Sequence, residues 1–578
     1  MSLMFIISLS GVLLLIAYHT YGSCLARWLR LDPDAPTPAM EMRDDVDYVP
    51  IEPKFLLGQH FSAIAAAGPI VGPILAGVMF GWLPALLWIL IGSILIGGVH
   101  DLVALVASIR HKARSITEVV REHMTQRSYL LFLSFVWIAL VYIIVAFTDI
   151  TASSFIGVVA LENGQQVKGG AIATSSLLYL ALPLVMGLLL RYTRLSLGWA
   201  TAIFLPLVGL AIWVGPYIPF DIASVLGIDD NQAHVVWDVL LLAYCFVASV
   251  VPMWLLLQPR GHLGGYFLYI ALGGSALGLL LGGKSIEYPA FTAWTTPKGD
   301  MLFPMLFITI ACGACSGFHS IIASGTTSKQ LRKETDAKVI GYGAMLLEAM
   351  VAVVSLSCVM MLAKDSPLIT GGKAPNFIYA QGIGNLLAVV GIPASFGVAF
   401  ALMAFTTFVY DTLDVCTRLG RYILQELTGW SDRKGQMLAT ALTAGVPVLF
   451  VMRTTIDPVT GSVIPVWKTF WSLFGASNQL LAALTLLGVT VWLVRAKNAR
   501  WAWYVTGLPT VWMYIVSVFA LITLILRSFH TFGLADPVAW VGIILVILAL
   551  LMLVEGCRVL LGNTPPAPPR AEPAVATA

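Results

Sequence analysis

Charge is scarce in this sequence of 578 residues: Asp, Glu, Lys and Arg together make up 11%, whereas hydrophobic residues make up 58%. Soluble globular domains carry about 25% of these four charged residues. A soluble chain of this length would form several domains, and so few charges would leave most of their surface apolar. The composition therefore excludes a set of soluble domains and predicts a membrane protein.

The sequence also lacks residue patterns that are characteristic of several other classes of protein. The net charge of +3 provides no basic excess for a nucleic-acid partner. The cysteines number seven and fall mostly in apolar runs, which argues against a disulfide framework. Cys312 and Cys315 have no second pair, so we predict no metal site and no cofactor. No basic residues precede the first apolar run and no cleavage site follows it, so we expect a retained span rather than a signal peptide.

Long apolar runs are abundant. Taking roughly 20 apolar residues as one membrane crossing predicts an all-α bundle of about 15 spans. They lie near residues 3–20, 60–80, 82–109, 129–159, 174–190, 196–214, 235–257, 264–282, 302–324, 338–363, 394–416, 436–452, 468–494, 502–527 and 537–558. The apolar run 382–392 is too short to cross and is interpreted as re-entrant or interfacial. We predict one membrane domain over residues 1–561 and a disordered cytoplasmic tail over 562–578.

Basic residues predict the orientation of these spans. Of the 33 Lys and Arg residues, 25 fall on one side when successive loops are assigned to alternate sides of the bilayer. Cytoplasmic loops carry an excess of Lys and Arg. The amino terminus is therefore predicted outside and the carboxyl terminus in the cytoplasm.

The second span contains two Gly-Pro steps, at Gly68-Pro69 and Gly72-Pro73. Each proline removes a backbone donor and leaves a carbonyl without its helical partner, which is costly in hydrocarbon. A broken helix is predicted, whose freed carbonyls suit a cation and whose second N-terminus suits a carboxylate. A proline kink or a close glycine crossing is the alternative.

The ninth span has a matching irregularity, in which Gly313 and Gly317 repeat the spacing of Gly68 and Gly72. The predicted topology gives the two spans opposite directions. Opposed broken helices are typical of transporters with inverted repeats. We predict five-plus-five repeats over residues 60–214 and 302–494.

Ionisable residues lie inside several spans, where each costs about 2.5–3.5 kcal/mol if it faces lipid. They should therefore face the interior of the bundle. They are His100, Asp101, Asp149, His319, Glu348, Asp411 and Asp414. Glu348 lies mid-span with no basic residue near in sequence, so we predict that it couples transport to a proton or cation. A structural, hydrogen-bonded acid is the alternative.

Asp411 and Asp414 are spaced to share one helix face. Arg418 follows Asp414 by one turn, so a helix-end ion pair of Asp411, Asp414 and Arg418 is as good an interpretation as ion coupling by Asp414.

Uncharged and weakly basic groups complete the candidate substrate site. His60 and His319 lie in the two irregular segments, where an imidazole could relay protons or bind a carboxylate. Ser316 lies beside His319 in sequence, and Asn478 is polar at mid-span depth. Structural hydrogen bonds, including bonds between helices, are the alternative for both histidines and for Asn478.

Enzyme and channel signatures are incomplete. Residues 278–285 match the pattern of a nucleotide-binding P-loop, but they end a membrane span rather than follow a strand. Tyr410-Asp411 is half of an intramembrane aspartyl protease signature whose Gly-x-Gly-Asp is missing, and Ser316 with His319 lacks a rhomboid arrangement. A channel needs a continuous pore lined by rings of like residues. A secondary transporter driven by an ion gradient fits better, with an intramembrane enzyme or a channel as alternatives.

Several motifs occur together in one order along the chain. They are Gly58-Gln-His-Phe61, Gly68-Pro-Ile-Val-Gly-Pro73, Gly97-Gly-Val-His-Asp101, Ser316-Gly-Phe-His-Ser-Ile-Ile-Ala-Ser-Gly-Thr-Thr327, Gly341-Tyr-Gly-Ala-Met-Leu-Leu-Glu348 and Leu413-Asp-Val-Cys-Thr-Arg-Leu-Gly-Arg-Tyr422. Together they resemble the carbon starvation protein A family over essentially the whole membrane part.

The resemblance implies a bacterial inner-membrane transporter that takes up peptides or pyruvate with a coupling cation, a proton or sodium. It implies a fold related to the amino acid–polyamine–organocation transporters. The implied partners are a small solute, the coupling cation and the lipid bilayer. The positions that match the family motifs are His60, Gly68, Pro69, Gly72, Pro73, Asp101, His319, Glu348, Asp414 and Arg418.

Overall fold

The computed structural model describes residues 2–44, 48–160, 164, 166–372, 374–430, 432–453, 455–456 and 463–562. Within these ranges the chain is mainly helical. The α-helices are α1 Leu3–His19, α2 Tyr21–Trp28, α3 Pro38–Glu41, α4 Pro53–Ile64, α5 Gly68–Phe80, α6 Trp82–Gly92, α7 Gly98–Arg110, α8 Ile116–His123, α9 Gln126–Ala152, α10 Gly169–Tyr192, α11 Leu197–Val214, α12 Ile222–Leu226, α13 Asp230–Val250, α14 Leu257–Gly282, α15 Leu302–Thr309, α16 Ala311–Ala314, α17 Phe318–Ile322, α18 Ala344–Met360, α19 Pro367–Thr370, α20 Pro375–Val389, α21 Ala394–Thr428, α22 Arg433–Val451, α23 Val466–Arg495, α24 Leu508–Phe532 and α25 Pro537–Leu560.

Two small antiparallel hairpins lie between helices. Strand β1, Val158–Ala160, pairs with β2, Gln166–Lys168, and strand β3, Thr455–Ile456, pairs with β4, Val463–Ile464. They connect α9 to α10 and α22 to α23. Of the predicted tail, only residue 562 falls within the described ranges.

Thirteen helical segments of the described chain are long and apolar enough to cross a membrane, and the bent pair α4 and α5 makes a fourteenth. The chain is therefore a multi-pass membrane protein. The difference from the predicted count of about 15 is the ninth predicted span, 302–324, which the structure divides into short helices. The apolar run 382–392 belongs mostly to α20, which begins earlier than predicted, at Pro375.

The first broken segment joins α4 and α5 at an angle of 48°. The predicted break is confirmed, but its position is different: the helix is interrupted at residues 65–67, and Pro73 lies inside α5. Pro69 occupies the first turn of α5, where a backbone N–H has no helical partner in any case. Pro73 therefore costs one hydrogen bond without ending the helix.

The second broken segment consists of α15, α16, α17 and a π-helical turn, Ala323–Thr327. It packs antiparallel against the first. His60 contacts Thr327, a Cβ built on Gly68 would lie 2.3 Å from Cys312, and one on Gly72 would lie 2.3 Å from the Thr309 carbonyl oxygen. The opposed directions expected from the sequence are therefore present at this contact, while the extent of the two repeats stays a prediction.

Glycines let other helices approach the second broken segment closely. A Cβ on Gly97 would lie 2.4 Å from the Ala314 carbonyl oxygen, and one on Gly475 would lie 2.1 Å from the Ile308 carbonyl oxygen. Real Cβ atoms do not come so near to a backbone oxygen. Three elements thus contact this segment backbone to backbone. They are α5 at Gly72, the π turn Ser93–Gly97 at Gly97, and α23 at Gly475.

Candidate functional site

The candidate site begins with three side chains next to irregular helical turns. Asp101 lies in the first turn of α7, directly after the π turn Ser93–Gly97. His319 lies in α17 between the break at 315–317 and the π turn Ala323–Thr327. Glu348 lies in the first turns of α18, after the π turn Lys338–Gly343. Such π turns occur frequently at functional sites because they re-aim side chains within a helix.

These side chains form a continuous buried chain of contacts. The Nδ1 atom of His100 lies 2.7 Å from Asp101 Oδ1, and the Nδ1 atom of His319 lies 2.7 Å from Asp101 Oδ2. On its other edge, His319 Nε2 lies 3.1 Å from Glu348 Oε2. All four side chains are fully buried. The imidazole of His319 is therefore held between two carboxylates in the interior of the bundle.

The contact between His319 and Glu348 is close but is not aligned as a hydrogen bond. Within the described chain, neither oxygen of Glu348 has a hydrogen-bond partner, and the same holds for Nε2 of His319. A buried carboxylate that accepts no hydrogen bond is poorly stabilised in its charged form. Glu348 differs in this from Asp101, which accepts contacts of 2.7 Å from both histidines.

His60 contacts the second broken segment and lines a cavity. Its Nδ1 atom lies 2.8 Å from the Thr327 hydroxyl, and its Nε2 atom has no partner in the described residues. His60 and Thr327 line a cavity of about 40 Å³ together with Asp411. The amide side chains of Gln59, Gln258 and Gln330 also line this cavity. The wall of the cavity therefore includes hydrogen-bond donors and acceptors as well as apolar side chains.

The second set of charges is built around Arg260 in α14. Its guanidinium donates to Asp411 Oδ1 at 2.6 Å and forms a close ion pair with Asp414. Asp414 also accepts a hydrogen bond of 2.9 Å from the Tyr244 hydroxyl, and Asp411 accepts one of 2.5 Å from the Ser62 hydroxyl. The i,i+3 spacing does place both aspartates on one helix face, as predicted.

The predicted ion pair with Arg418 does not form. Arg418 instead donates to the backbone carbonyls of Ala248, at 2.8 Å, and Val251, at 2.5 Å, and makes no ion pair with either aspartate. These carbonyls belong to the last turn and C-cap of α13, where orphan acceptors attract a guanidinium. The cation that pairs with Asp411 and Asp414 comes from another helix.

Arg260 is the residue that sequence reasoning missed. The sequence pattern started this span near residue 264 and left Arg260 as the lone basic residue of a loop. The helix starts one to two turns earlier, at Leu257, and buries the whole side chain. Two uncompensated acids on one face of another span were the available signal that a buried cation had to exist.

Asn478 and Ser316 are brought together at the second break. The Asn478 side-chain carbonyl accepts the Phe318 N–H at 2.9 Å, and its amide donates to the Ser316 hydroxyl at 3.0 Å. The backbone carbonyl of Asn478 accepts the Gly317 N–H at 3.1 Å. Donors freed by the break are therefore satisfied by α23, which is the structural alternative considered from the sequence.

Two trios of residues bring possible metal-ligating atoms within 4.8 Å of one another in the described chain. One, Asp149, His234 and Asp238, is largely buried between α9 and α13. The other, His111, Glu122 and His123, lies beyond the ends of the spans. His111 Nε2 and His123 Nε2 are 2.7 Å apart there, and burial lowers the pKa of both imidazoles, that of His123 to about 4. Neither trio contacts the His319 cluster through a hydrogen bond or ion pair given by the structure.

The comparisons with known proteins agree with the motif pattern. The family described as carbon starvation protein CstA matches residues 2–369 and 364–520 of this chain. The chain belongs to the carbon starvation protein CstA family. All the candidate residues named above fall inside the matched ranges.

Relatives in this CstA family are named as transporters, not as enzymes. The peptide transporter CstA of Escherichia coli K12 is 32% identical, over 89% of this chain and 80% of the relative. The pyruvate/proton symporter BtsT of the same organism is 31% identical, over 90% and 81%. The peptide transporter CstA of Bacillus subtilis 168 is 30% identical, over 89% of each chain. Among solved structures, a manganese transporter from Eremococcus coleocola aligns with 90% of this chain and 99% of its own at 15% identity and a TM-score of 0.48.

Proposed function

We propose that this protein is a secondary transporter that imports a small carboxylate-bearing nutrient, a peptide or pyruvate, together with a proton. The observation that carries the proposal is the buried His319, held between Asp101 and Glu348 in the segment whose Thr326 and Thr327 line the cavity. The names of the relatives, peptide transporter and pyruvate/proton symporter, support both substrates. The relative named pyruvate/proton symporter supports an ion gradient as the energy source.

Proton coupling follows from the charge balance of the His319 cluster. With His319 protonated, the cluster of Asp101, His319 and Glu348 has a net charge of −1, and a proton on Glu348 brings it to zero. A buried site favours the neutral state. Glu348 would therefore take up a proton when the site opens to one side and release it when it opens to the other.

Substrate recognition is assigned to the cavity that contains His60. The His60 imidazole and the amides of Gln59, Gln258 and Gln330 can donate hydrogen bonds to a carboxylate. The N-terminus of α5, at Gly68 and Pro69, would add the positive end of a helix dipole, and Gly72 and Pro73 would keep its approach to the second segment close. Ser316 and Asn478 would support the site by holding the break that carries His319.

Asp411 lines this cavity, and Asp414 lies one turn further along α21. Their shared bond to Arg260 ties α14 to α21. We assign Asp414 to coupling through this link, since protonation of either aspartate would weaken the bond between the two helices. Arg418 is assigned a structural role at the end of α13.

The membrane assignment follows from the same sequence features. We propose the inner membrane of a bacterium, with the amino terminus outside and the carboxyl terminus in the cytoplasm. The cavity would then lie toward the cytoplasmic side, because Gln330 in its wall belongs to the loop that carries Lys329, Arg332 and Lys333.

Uptake by the purified protein in proteoliposomes tests the function. An inward proton gradient should drive accumulation of labelled pyruvate or of a labelled dipeptide above the level reached without a gradient. Accumulation driven by sodium alone would replace the proton as the coupling ion. Uptake that ignores both gradients would contradict secondary transport.

The role of Glu348 is tested by comparing two kinds of transport. E348Q should lower proton-driven accumulation by at least tenfold and leave exchange of external for internal substrate largely intact. E555Q makes the same chemical change at a buried acid that pairs with Arg558, far along the chain from the site, and should leave both activities near wild type. Equal loss of driven uptake and exchange in E348Q would assign Glu348 a structural role.

A further inference from the structure

The trio of Asp149, His234 and Asp238 is a second buried group of charges, outside the proposed transport site. Asp149 lies in the last turn of α9, and His234 and Asp238 lie one turn apart in α13. The side chains of Asp149 and Asp238 are 3% and 1% exposed, and that of His234 is 18% exposed. The two aspartates are therefore shielded from solvent, and the exposed part of the trio belongs mainly to His234.

The geometry of the trio is convergent. His234 Nε2 donates a hydrogen bond of 3.1 Å to the Asp149 backbone carbonyl, which a metal ion at Nε2 would replace, and it lies 3.3 Å from Asp149 Oδ1 and 4.0 Å from Asp238 Oδ2. One ligating atom from each residue falls within 4.8 Å of the other two. Three atoms bound to one metal ion at about 2.0–2.2 Å lie at comparable mutual distances after a small closure.

The charges of the trio do not balance. Two buried carboxylates face one imidazole, so the group keeps a net charge of −1 even when His234 is protonated. In the described chain neither aspartate forms an ion pair with Lys or Arg, and Asp238 Oδ1 is buried without a hydrogen-bond partner. Buried charges are normally paired or bound to metal. A cation among the three side chains would complete the group.

We propose that Asp149, His234 and Asp238 form a binding site for a divalent transition metal ion such as Zn²⁺ or Co²⁺. Two carboxylates and a neutral imidazole balance a charge of +2. An imidazole ligand favours zinc, cobalt, nickel or copper over sodium, calcium and magnesium, which prefer oxygen. Water completes the coordination of a site with three protein ligands.

A neighbouring backbone group orients the first ligand. Asp149 Oδ2 accepts the Trp467 N–H at 2.8 Å, which fixes the carboxylate and leaves Oδ1 directed at His234. Hydrogen bonds of this kind hold metal-binding carboxylates in place. Because Trp467 lies in the first turn of α23, a bound ion would connect α9, α13 and α23 at one end of the bundle. Binding should therefore stabilise the protein and slow any motion that separates these helices.

Binding of Co²⁺ by the full-length protein, purified in detergent without a polyhistidine tag, tests the proposal. The His111 trio is removed first by H111A, so that, of the two trios in the described chain, the one under test remains. The H111A protein should bind one equivalent of Co²⁺ with visible d–d absorption bands, and Zn²⁺ should displace it. Its Tm should rise with either metal. Absence of the bands, or a Tm that ignores both metals, would overturn the proposal.

Two further variants identify the ligands. D238N and H234Q, each in the H111A background, should weaken Co²⁺ binding by at least tenfold and abolish the rise in Tm, while D238E should restore part of the binding. Size-exclusion profiles and the metal-free Tm establish that each variant is folded. Full Co²⁺ binding by folded D238N and folded H234Q would overturn the assignment. Because binding is measured without transport, the result does not depend on the proposed function.

Discussion

Arg260 Nε donates a hydrogen bond of 2.6 Å to Asp411 Oδ1, and both side chains are buried between α14 and α21. The same guanidinium pairs with Asp414, so one cation is shared by two acids. Removing one partner from such a group is costly because the other charges are left buried and uncompensated.

Substitution of Arg260 should strongly destabilise the protein. We expect R260Q to lower the free energy of unfolding by about 3–5 kcal/mol, which thermal unfolding in detergent would register as a large fall in Tm. The triple variant R260Q/D411N/D414N, in which no charge remains, should recover much of this loss. R194Q, at an exposed arginine, should match wild type. No recovery in the triple variant would show that packing, rather than charge, accounts for the loss.

Removal of the Asn478 amide should destabilise the second break. N478L leaves the Phe318 N–H without its acceptor, and an unsatisfied buried donor costs about 1–3 kcal/mol. The neighbouring Gln479 is the matched control, because its amide contacts the sulfur atoms of Met513 and Cys315. Thermal unfolding should therefore show a larger fall in Tm for N478L than for Q479L. Equal falls in Tm would contradict the assignment of Asn478 as the residue that stabilises the second break.

A methyl group at Gly72 should be poorly tolerated. Its Cβ would lie 2.3 Å from the Thr309 carbonyl oxygen, so α5 and the second broken segment must separate, at a cost of about 1–3 kcal/mol. Gly209 lies inside α11 with no atom within 4 Å of a built Cβ. G209A should stabilise the protein by about 0.5–1 kcal/mol through helix propensity. Opposite signs in the two Tm shifts are expected, and a neutral G72A would contradict the tight contact.

Acid should weaken the part of the protein around His111 and His123. Burial lowers the pKa of His123 from 6.5 to about 4, so the unfolded chain binds a proton at higher pH than the folded one does. The stability that this imidazole contributes is complete above pH 6.5 and is lost as pH falls toward 4.

A Tm series from pH 8 to pH 4.5 measures this effect. Wild type should lose more Tm across the series than H123Q, whose side chain does not titrate. H530Q, which replaces an exposed histidine, should follow wild type. Parallel curves for wild type and H123Q would contradict the assignment.

The sequence predicted which ionisable side chains are buried inside the bundle. All seven ionisable residues found inside apolar runs are buried in the bundle, as the cost of exposing them to lipid requires. It also predicted that both glycine-rich segments are irregular and run in opposite directions. These features follow from composition and local chemistry, which a single chain displays directly.

The sequence did not predict which charges meet. The contact of His319 with both Asp101 and Glu348, and the pairing of Arg260 with Asp411, join residues at least 29 positions apart, so they depend on tertiary packing. Arg418 was the obvious partner for Asp414 because it is one turn away. The exact position of the first break was also missed, since Pro69 could either end a helix or begin one.

The glycines at 72, 97 and 475 let three neighbouring elements contact the backbone of the second broken segment. Interlocked side chains hold most helices in one register, and moving such a helix requires many rotamers to change together. At these three glycines the contacts are backbone against backbone. A short displacement of the segment that carries His319 would therefore require no rotamer change at these three contacts, and the hydrogen bonds of Asn478 would have to break instead.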